Sequence, residues 1–242
     1  MLKKFFRGNQ LARQAKVYLD NISSLGTSPT KHIATILNQF EGLTVLDVGA
    51  NIGQFGLDLR RSGYAGPIES FEPVTESFNR LEKCSLGNQP WAVTKMALGA
   101  EPGVSKMNIS GNSGLSSSFL RMEDIHEFNF PESKYVGVES VQVSTIDDEI
   151  NRLKLTPDKI FLKIDVQGFE SFVIKGAEKS LPSIPFSFIE VSLRPMYEGE
   201  LTLREILNML NSYNHEVIDV FRGVKDKSGN LLQVDILARN WV

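Results

Sequence analysis

The chain has 242 residues, with 26 Lys and Arg against 29 Asp and Glu, a formal net charge of −3 with His neutral. Hydrophobic residues make up 41% and charged residues 23%, which excludes global disorder, and the acidic balance excludes a generic nucleic-acid binder. No apolar run approaches the ~18 residues of a membrane helix, and the length allows one large domain or two small ones.

The start, Met1-Leu2-Lys3-Lys4-Phe5-Phe6-Arg7, opens like a signal peptide. Gly8-Asn9-Gln10 then interrupts the apolar run that such a peptide needs. The segment reads as a basic, partly amphipathic leader, with weak contact to a membrane surface as its lesser reading. The first forty residues look helical. Ser28 is a candidate N-cap and Pro29 a first helical residue. Ile33, Ile36, Leu37 and Phe40 then recur at helical spacing, and Gly42 stops the helix. This apolar face is expected to pack on the domain that follows and to lie over the ligand site; a simple cap or a dimer contact is the plainer alternative.

From Leu43 onward, short apolar runs alternate with amphipathic stretches. Leu43 to Val48 reads as a buried strand, Phe55 to Arg61 as a helix and Pro67 to Phe71 as a strand. Thr75 to Leu86 reads as a helix and Trp91 to Leu98 as one strand. Between residues 101 and 143 the rhythm breaks. Val104 to Ile109 and Tyr135 to Val143 read as strands around a polar loop, Gly111 to Ser118, and the mixed stretch Phe119 to Phe130. This reads as an insertion over the carboxyl edge of the sheet. Ile160 to Ile164 is a strand, followed by a helix through Phe172, Val173 and Ile174. Phe186 to Val191 is a strand, and Leu203, Ile206, Leu207 and Leu210 line a helix. Val217 to Phe221 and Leu232 to Leu237 close the chain as a hairpin about Lys227-Ser228-Gly229-Asn230. The alternation predicts an α/β domain over residues 43–242, with a mostly parallel sheet and a C-terminal antiparallel hairpin, after an N-terminal helical extension over residues 1–42.

A single cysteine, Cys84, forbids an intramolecular disulfide and a multi-Cys zinc site. It reads as a small apolar residue on a helix, and a reducing cytoplasm fits it.

The first chemical signal is Thr44-Val45-Leu46-Asp47-Val48-Gly49-Ala50-Asn51-Ile52-Gly53. A buried strand runs into a glycine turn and then a helix, so Gly49 and Gly53 allow a tight turn and close approach to a ligand. Glu72 ends the next strand, where an acid can accept hydrogen bonds from ribose hydroxyls. A dinucleotide needs glycine at the middle position so that pyrophosphate can meet the helix N-terminus, and here that position is Asn51. Asp47 would also repel phosphate. A ribose ligand carrying an ammonium and a sulfonium suits it better: S-adenosylmethionine (SAM). The plain alternative is a tight strand–helix turn that binds nothing.

The second signal is Leu162-Lys163-Ile164-Asp165-Val166-Gln167-Gly168-Phe169-Glu170. Alternation puts Lys163 and Asp165 on one face at the carboxyl end of a strand, where open α/β sheets bind ligands. The alternative is a buried ion pair, with Glu170 compensating a helix dipole.

Residues 43–191 resemble the FkbM-type SAM-dependent methyltransferases. The segments that carry the likeness are LDVGANIGQFG (46–56), FEPV (71–74), MALG (96–99), STIDD (144–148), LKIDVQGFE (162–170), GAE (176–178) and FIEVS (188–192). The resemblance implies a Rossmann-like methyltransferase fold and O-methylation of a sugar, glycolipid, polysaccharide or natural-product hydroxyl. It assigns Asp47, Gly49, Asn51, Gly53, Glu72, Pro73 and Ala97 to the cofactor site and puts Asp165 at the reacting end.

The acceptor hydroxyl is then expected to attack in line. Asp165 is the first candidate for the base or hydroxyl orienter, with Lys163 holding it. Glu190, at the end of the Phe186 to Val191 strand, is the second candidate, or else caps backbone amides. A divalent metal bridging Asp165 and Glu190 to vicinal sugar hydroxyls is an open option, but two acids are too few to assign it. His126, with Glu123, Asp124 and Glu127 around it, and Arg194 and Tyr197 after FIEVS are candidate acceptor contacts. Their alternative is ordinary packing. His32 and His215 read as surface residues. The rival functions are a NAD-type oxidoreductase and a non-catalytic nucleoside-binding protein. Neither nucleic acid nor a membrane span is expected, and the sequence sets no oligomeric state.

Overall fold

The structure is a computed structural model, and it describes residues 28–241. The expected leader over residues 1–27 lies outside the described residues. In chain order the elements are α1 (Pro29–Gln39), β1 (Thr44–Val48), α2 (Gln54–Arg61), β2 (Ile68–Phe71), α3 (Thr75–Ser85), β3 (Trp91–Thr94), β4 (Ala97–Leu98), β5 (Gly103–Ser110), α4 (Asp124–Asn129), β6 (Tyr135–Ser144), α5 (Ile146–Leu153), β7 (Ile160–Ile164), α6 (Glu170–Lys175), β8 (Phe186–Ser192), α7 (Leu203–Ser212), β9 (His215–Arg222) and β10 (Gln233–Asn240).

The main sheet has the order β3-β2-β1-β7-β8-β10-β9 among the described residues. β1, β2, β3, β7 and β8 pair in parallel, and β10 is antiparallel to both β8 and β9. The two central strands, β1 and β7, are buried at every position. Strands buried on both faces in this way belong in a parallel sheet covered on both sides. The expected hairpin forms, with β10 wedged between β8 and β9.

Alternation along the strands sorts the core into two layers. Leu46, Val48, Leu162 and Ile164 join one cluster with Ile146, Val173 and Ile206. Val45, Phe161, Phe186 and Phe188 join the other with Ile33, Ala34 and Leu37 of α1. The helix before the sheet therefore packs its apolar stripe on the sheet, as its spacing predicts.

Three local readings are corrected. Trp91 to Leu98 is not one strand. β3 pairs with β2, whereas β4 leaves to pair with β6 in a second, three-stranded sheet of order β4-β6-β5. Apolar alternation records which face is buried, not which partner pairs, so this break is invisible locally. His215 is buried rather than exposed: its Nδ1 lies 3.0 Å from Ser187 Oγ and its Nε2 3.1 Å from the Leu181 carbonyl. Two short helices, α4 and α5, add to the expected elements. α5 is capped by Thr145, whose hydroxyl accepts from Asp148 N at 3.1 Å.

Candidate active site

β1 ends in a turn that only glycine can make. Gly49 has φ +74°, and a Cβ there would lie 1.9 Å from the Asp165 carbonyl oxygen. The end of β1 thus presses on the backbone leaving β7. Gly53 has φ +92° and would meet Leu81 and Trp91, so its freedom serves the packing of α2 rather than the cavity wall. Between them Asn51 takes φ +48°, and its side-chain Oδ1 accepts from Ile52 N at 2.9 Å. This is the local bonding that lets asparagine adopt that conformation.

Sheet register then aligns Ser70, Asp47, Lys163 and Phe188 side by side on β2, β1, β7 and β8. Asp47 is completely buried. Its Oδ1 lies 3.0 Å from Lys163 Nζ, and its Oδ2 accepts from Ser70 Oγ at 3.1 Å. Lys163 Nζ also donates to the Gly49 carbonyl at 2.8 Å and lies 3.8 Å from Asp165. Burial disfavours its charge, but Asp47, Asp165 and Glu190 outweigh that and hold the ammonium above the usual lysine pKa. The lysine is a pin beneath the glycine turn, and Asp47 is its counter-ion.

A cavity of about 410 Å³ opens at the carboxyl ends of the strands. Gly49, Asn51, Glu72, Pro73, Ala97, Lys163, Asp165 and Glu190 line it. Glu72 caps the turn: Oε2 accepts from Asn51 N at 2.9 Å and Oε1 from Val74 N at 2.8 Å. Each carboxylate oxygen keeps a second acceptor site. Burial, opposed by these two amides, raises the Glu72 pKa to about 7.

At the other end, Asp165, Glu190 and Asp235 face the cavity together. The Asp165 side chain is 38% exposed. Glu190 is pushed well above the usual carboxylate range by burial and then by Asp165 and Asp235. Asp235 pairs with Glu190 across β8 and β10, and burial, then Asp165, raises it to about 7. The sequence reading missed Asp235. Its signal was a lone acid inside the apolar run Val234-Asp235-Ile236-Leu237. Phe55 and Phe188 stack at 6.0 Å on the same wall, and residues 28–30, at the start of α1, border it.

The remaining candidates lie elsewhere. Asp47 and Gly53 sit behind the wall, as described. Arg194 is exposed and is not part of the lining. Tyr197 is fully buried, with its hydroxyl 2.9 Å from Gln167 Oε1. His126 is buried edge-on against the Tyr197 ring at 5.0 Å. Burial lowers its pKa. Neither residue is in the lining; Tyr197 meets it through its hydrogen bond to Gln167, and His126 packs behind Tyr197. Glu170 does more than compensate a dipole: its Oε1 accepts from Val166 N at 3.0 Å and Gly168 N at 3.2 Å. Burial, then Glu200, raises its pKa to about 8. Among the described residues, no cluster of three or more His, Cys, Asp or Glu forms a site that could hold a metal ion.

A glycine turn after β1, an acid capping it from β2 and a cavity at the carboxyl ends of neighbouring strands mark a Rossmann-like α/β domain with its ligand site where open α/β sheets place one. The methyltransferase FkbM domain matches residues 47–217, and the chain belongs to that family. The 2-O-methyltransferase NoeI of Sinorhizobium fredii is 30% identical over 207 residues, covering 81% of this chain and 79% of its own. Solved structures of similar shape include a magnesium protoporphyrin IX methyltransferase from Synechocystis with bound SAM, at 9% identity and TM-score 0.48, covering 93% of this chain and 80% of that one. A SAM-dependent methyltransferase from Aquifex aeolicus has 16% identity and TM-score 0.44, covering 93% of this chain and 97% of that one.

Proposed function

We infer that the protein is a SAM-dependent O-methyltransferase acting on a hydroxyl of a sugar, glycolipid, polysaccharide or natural-product acceptor. The carrying observation is the donor set of one cavity. Glu72 offers ribose two carboxylate oxygens at the turn end, and Asp165, Glu190 and Asp235 form an acidic far end. Among the described residues, the lining holds five acids, Asp58 included, and Lys163 as its one base, already paired with Asp47. A cationic ligand fits this field, whereas a pyrophosphate would meet repulsion with no free cation among the described lining residues. The 2-O-methyltransferase name of the relative supports oxygen as the acceptor atom.

SAM supplies, when bound, a methyl group on a positively charged sulfur. Gly49, Asn51, Glu72, Pro73 and Ala97 would hold its nucleoside. Asp165, the more exposed acid, takes the proton of the acceptor hydroxyl. Glu190 and Asp235 flank it in the same lining and would hydrogen-bond neighbouring oxygens of the acceptor. Lys163 fixes the turn and the acids relative to each other. The insertion over residues 101–143 contributes Gly114, Leu115, Ser117 and Phe119 to the wall and closes the nucleoside end.

Calorimetry with SAM, S-adenosylhomocysteine and NAD tests the cofactor. SAM and its product are expected to bind, and tight NAD binding without a SAM response would overturn the reading. Labelled SAM with a panel of sugar and lipid-linked acceptors then tests oxygen methylation.

A further inference from the structure

Gln167 follows the two residues that leave β7 and takes φ +57°, a left-handed conformation rare for its type. Gly168 continues the turn at φ +91°, and a Cβ there would lie 2.8 Å from Tyr197 Cδ2. The turn is therefore moulded against Tyr197. Its side chain is held at both ends. Nε2 donates to Asp165 Oδ1 at 2.9 Å and to Glu190 Oε2 at 2.9 Å. Oε1 accepts from the Tyr197 hydroxyl at 2.9 Å. A primary amide has two N–H donors, so one goes to each acid. Flipping the amide would put three oxygens together and face Tyr197 with a second donor, so the orientation is fixed by its partners. The Gln167 carbonyl accepts from Ser118 Oγ at 2.7 Å, tying the turn to the insertion.

We propose that Gln167, oriented by Tyr197, is a positioning residue for methyl transfer that bridges Asp165 and Glu190 and keeps both carboxyl groups as hydrogen-bond acceptors toward the acceptor hydroxyl. The inference rests on the O-methyltransferase reading. Without the amide, two carboxyl groups would face each other across a part-buried gap. The other groups around them are Lys163 on β7, Asp235 and Gln233 on β10, and Glu170 on α6. Only Lys163 among the charged ones opposes the repulsion, and it is engaged by Asp47. Donors to a carboxylate favour its ionised form, so the bridge keeps a proton acceptor available beside a crowd of acids. This also gives Tyr197 a place in the site: its hydroxyl sets the amide, and His126 packs against its ring.

The test uses the full chain with carbon-13-labelled carboxyl groups, titrated by NMR as wild type, Gln167→Met, Tyr197→Phe and the double variant. Methionine keeps the length of glutamine and removes both donors. Gln167→Met is expected to raise the apparent midpoints of the Asp165–Glu190 pair by about one pH unit or more. Tyr197→Phe shifts them the same way by less, and the double variant goes no further than Gln167→Met. S-adenosylhomocysteine affinity, measured by calorimetry, stays at the wild-type value in all three. Unmoved midpoints in a folded variant, or shifts that simply add, overturn the proposal. If Gln167→Met does not fold, Tyr197→Phe alone decides, since it removes one hydroxyl. If the wild type fails to bind S-adenosylhomocysteine, the cofactor reading fails instead, and the titration still reports on the bridge.

Discussion

Lys163 shows how one side chain can tie several parts of a site together. Its ammonium joins the Asp47 carboxylate, the Gly49 carbonyl and the neighbourhood of Asp165. Removing it strands a carboxylate that has no exposure to water. Lys163→Met is expected to cost about 3–5 kcal/mol in urea unfolding, and adding Asp47→Asn should recover part of the loss. A cost below about 1 kcal/mol would show a pair no stronger than a surface one. Asp165 has the opposite character, being half-exposed and facing the cavity. Asp165→Asn is expected to lower kcat by ~10²–10⁴-fold while leaving the SAM Kd near its wild-type value. Unchanged turnover with the true acceptor would remove it from the mechanism. Gly49→Ala forces a Cβ onto the Asp165 carbonyl and a methyl into a left-handed φ. It should destabilise the fold by about 2–4 kcal/mol, read from the same denaturant curves.

At the scale of elements, α1 is part of the core. Ile33 has no exposed surface, and it shares a cluster with Val45, Phe161 and Phe186. Ile33→Ala is expected to cost about 2–4 kcal/mol. Deleting residues 1–27 should leave a cooperative melting transition, because α1 begins after them, at Pro29. Deleting through Gln39 as well should abolish it. Soluble, cooperatively folding protein after the longer deletion would show α1 to be dispensable. Residues 28–30 also border the cavity, so α1 joins packing to the site. The insertion does the same from the other side, with β5 and β6 forming their own sheet and the loop between β5 and α4 supplying part of the wall.

For the whole molecule, ligand and pH are linked to stability. With SAM at ~100 times its Kd, binding adds about 2.7 kcal/mol. For a chain this long, that raises Tm by roughly 5–10 °C, and NAD at the same concentration leaves it unmoved. The raised carboxyl pKa values act through protons. The folded chain keeps Glu170 protonated up to about 8 and Glu72 and Asp235 up to about 7. The unfolded chain releases those protons near 4.5 and 3.8. Their stabilising effect is therefore full below the unfolded values and is lost as pH rises through the folded ones. Tm is expected to fall from about pH 5 to about pH 9, and Glu170→Gln should flatten that slope. A wild-type Tm that climbs over the same range would contradict the assignment.

The local grammar of this protein is written in its residues. The strand, glycine turn and helix from Thr44 to Arg61 follow from short-range periodicity and from the φ values that glycine permits. So do the parallel β7 and β8, the C-terminal hairpin and the placing of Glu72 and Asp165 at strand ends. The family likeness lies in these same segments. What the residues alone left open is every partnership that depends on register or on long loops. Asp47 reads as a ligand contact until β1 and β7 pair and place Lys163 beside it. Asp235 gains meaning only when β10 inserts next to β8, opposite Glu190. His126, Tyr197 and Gln167 lie far apart in sequence, and folding of the insertion makes them one chain of contacts. Side-chain period and backbone preference act within a few residues, whereas pairing and burial of charge are settled between strands. The sequence by itself therefore determined the scaffold and the family, and the tertiary structure decided which acids face the cavity and which are locked behind it.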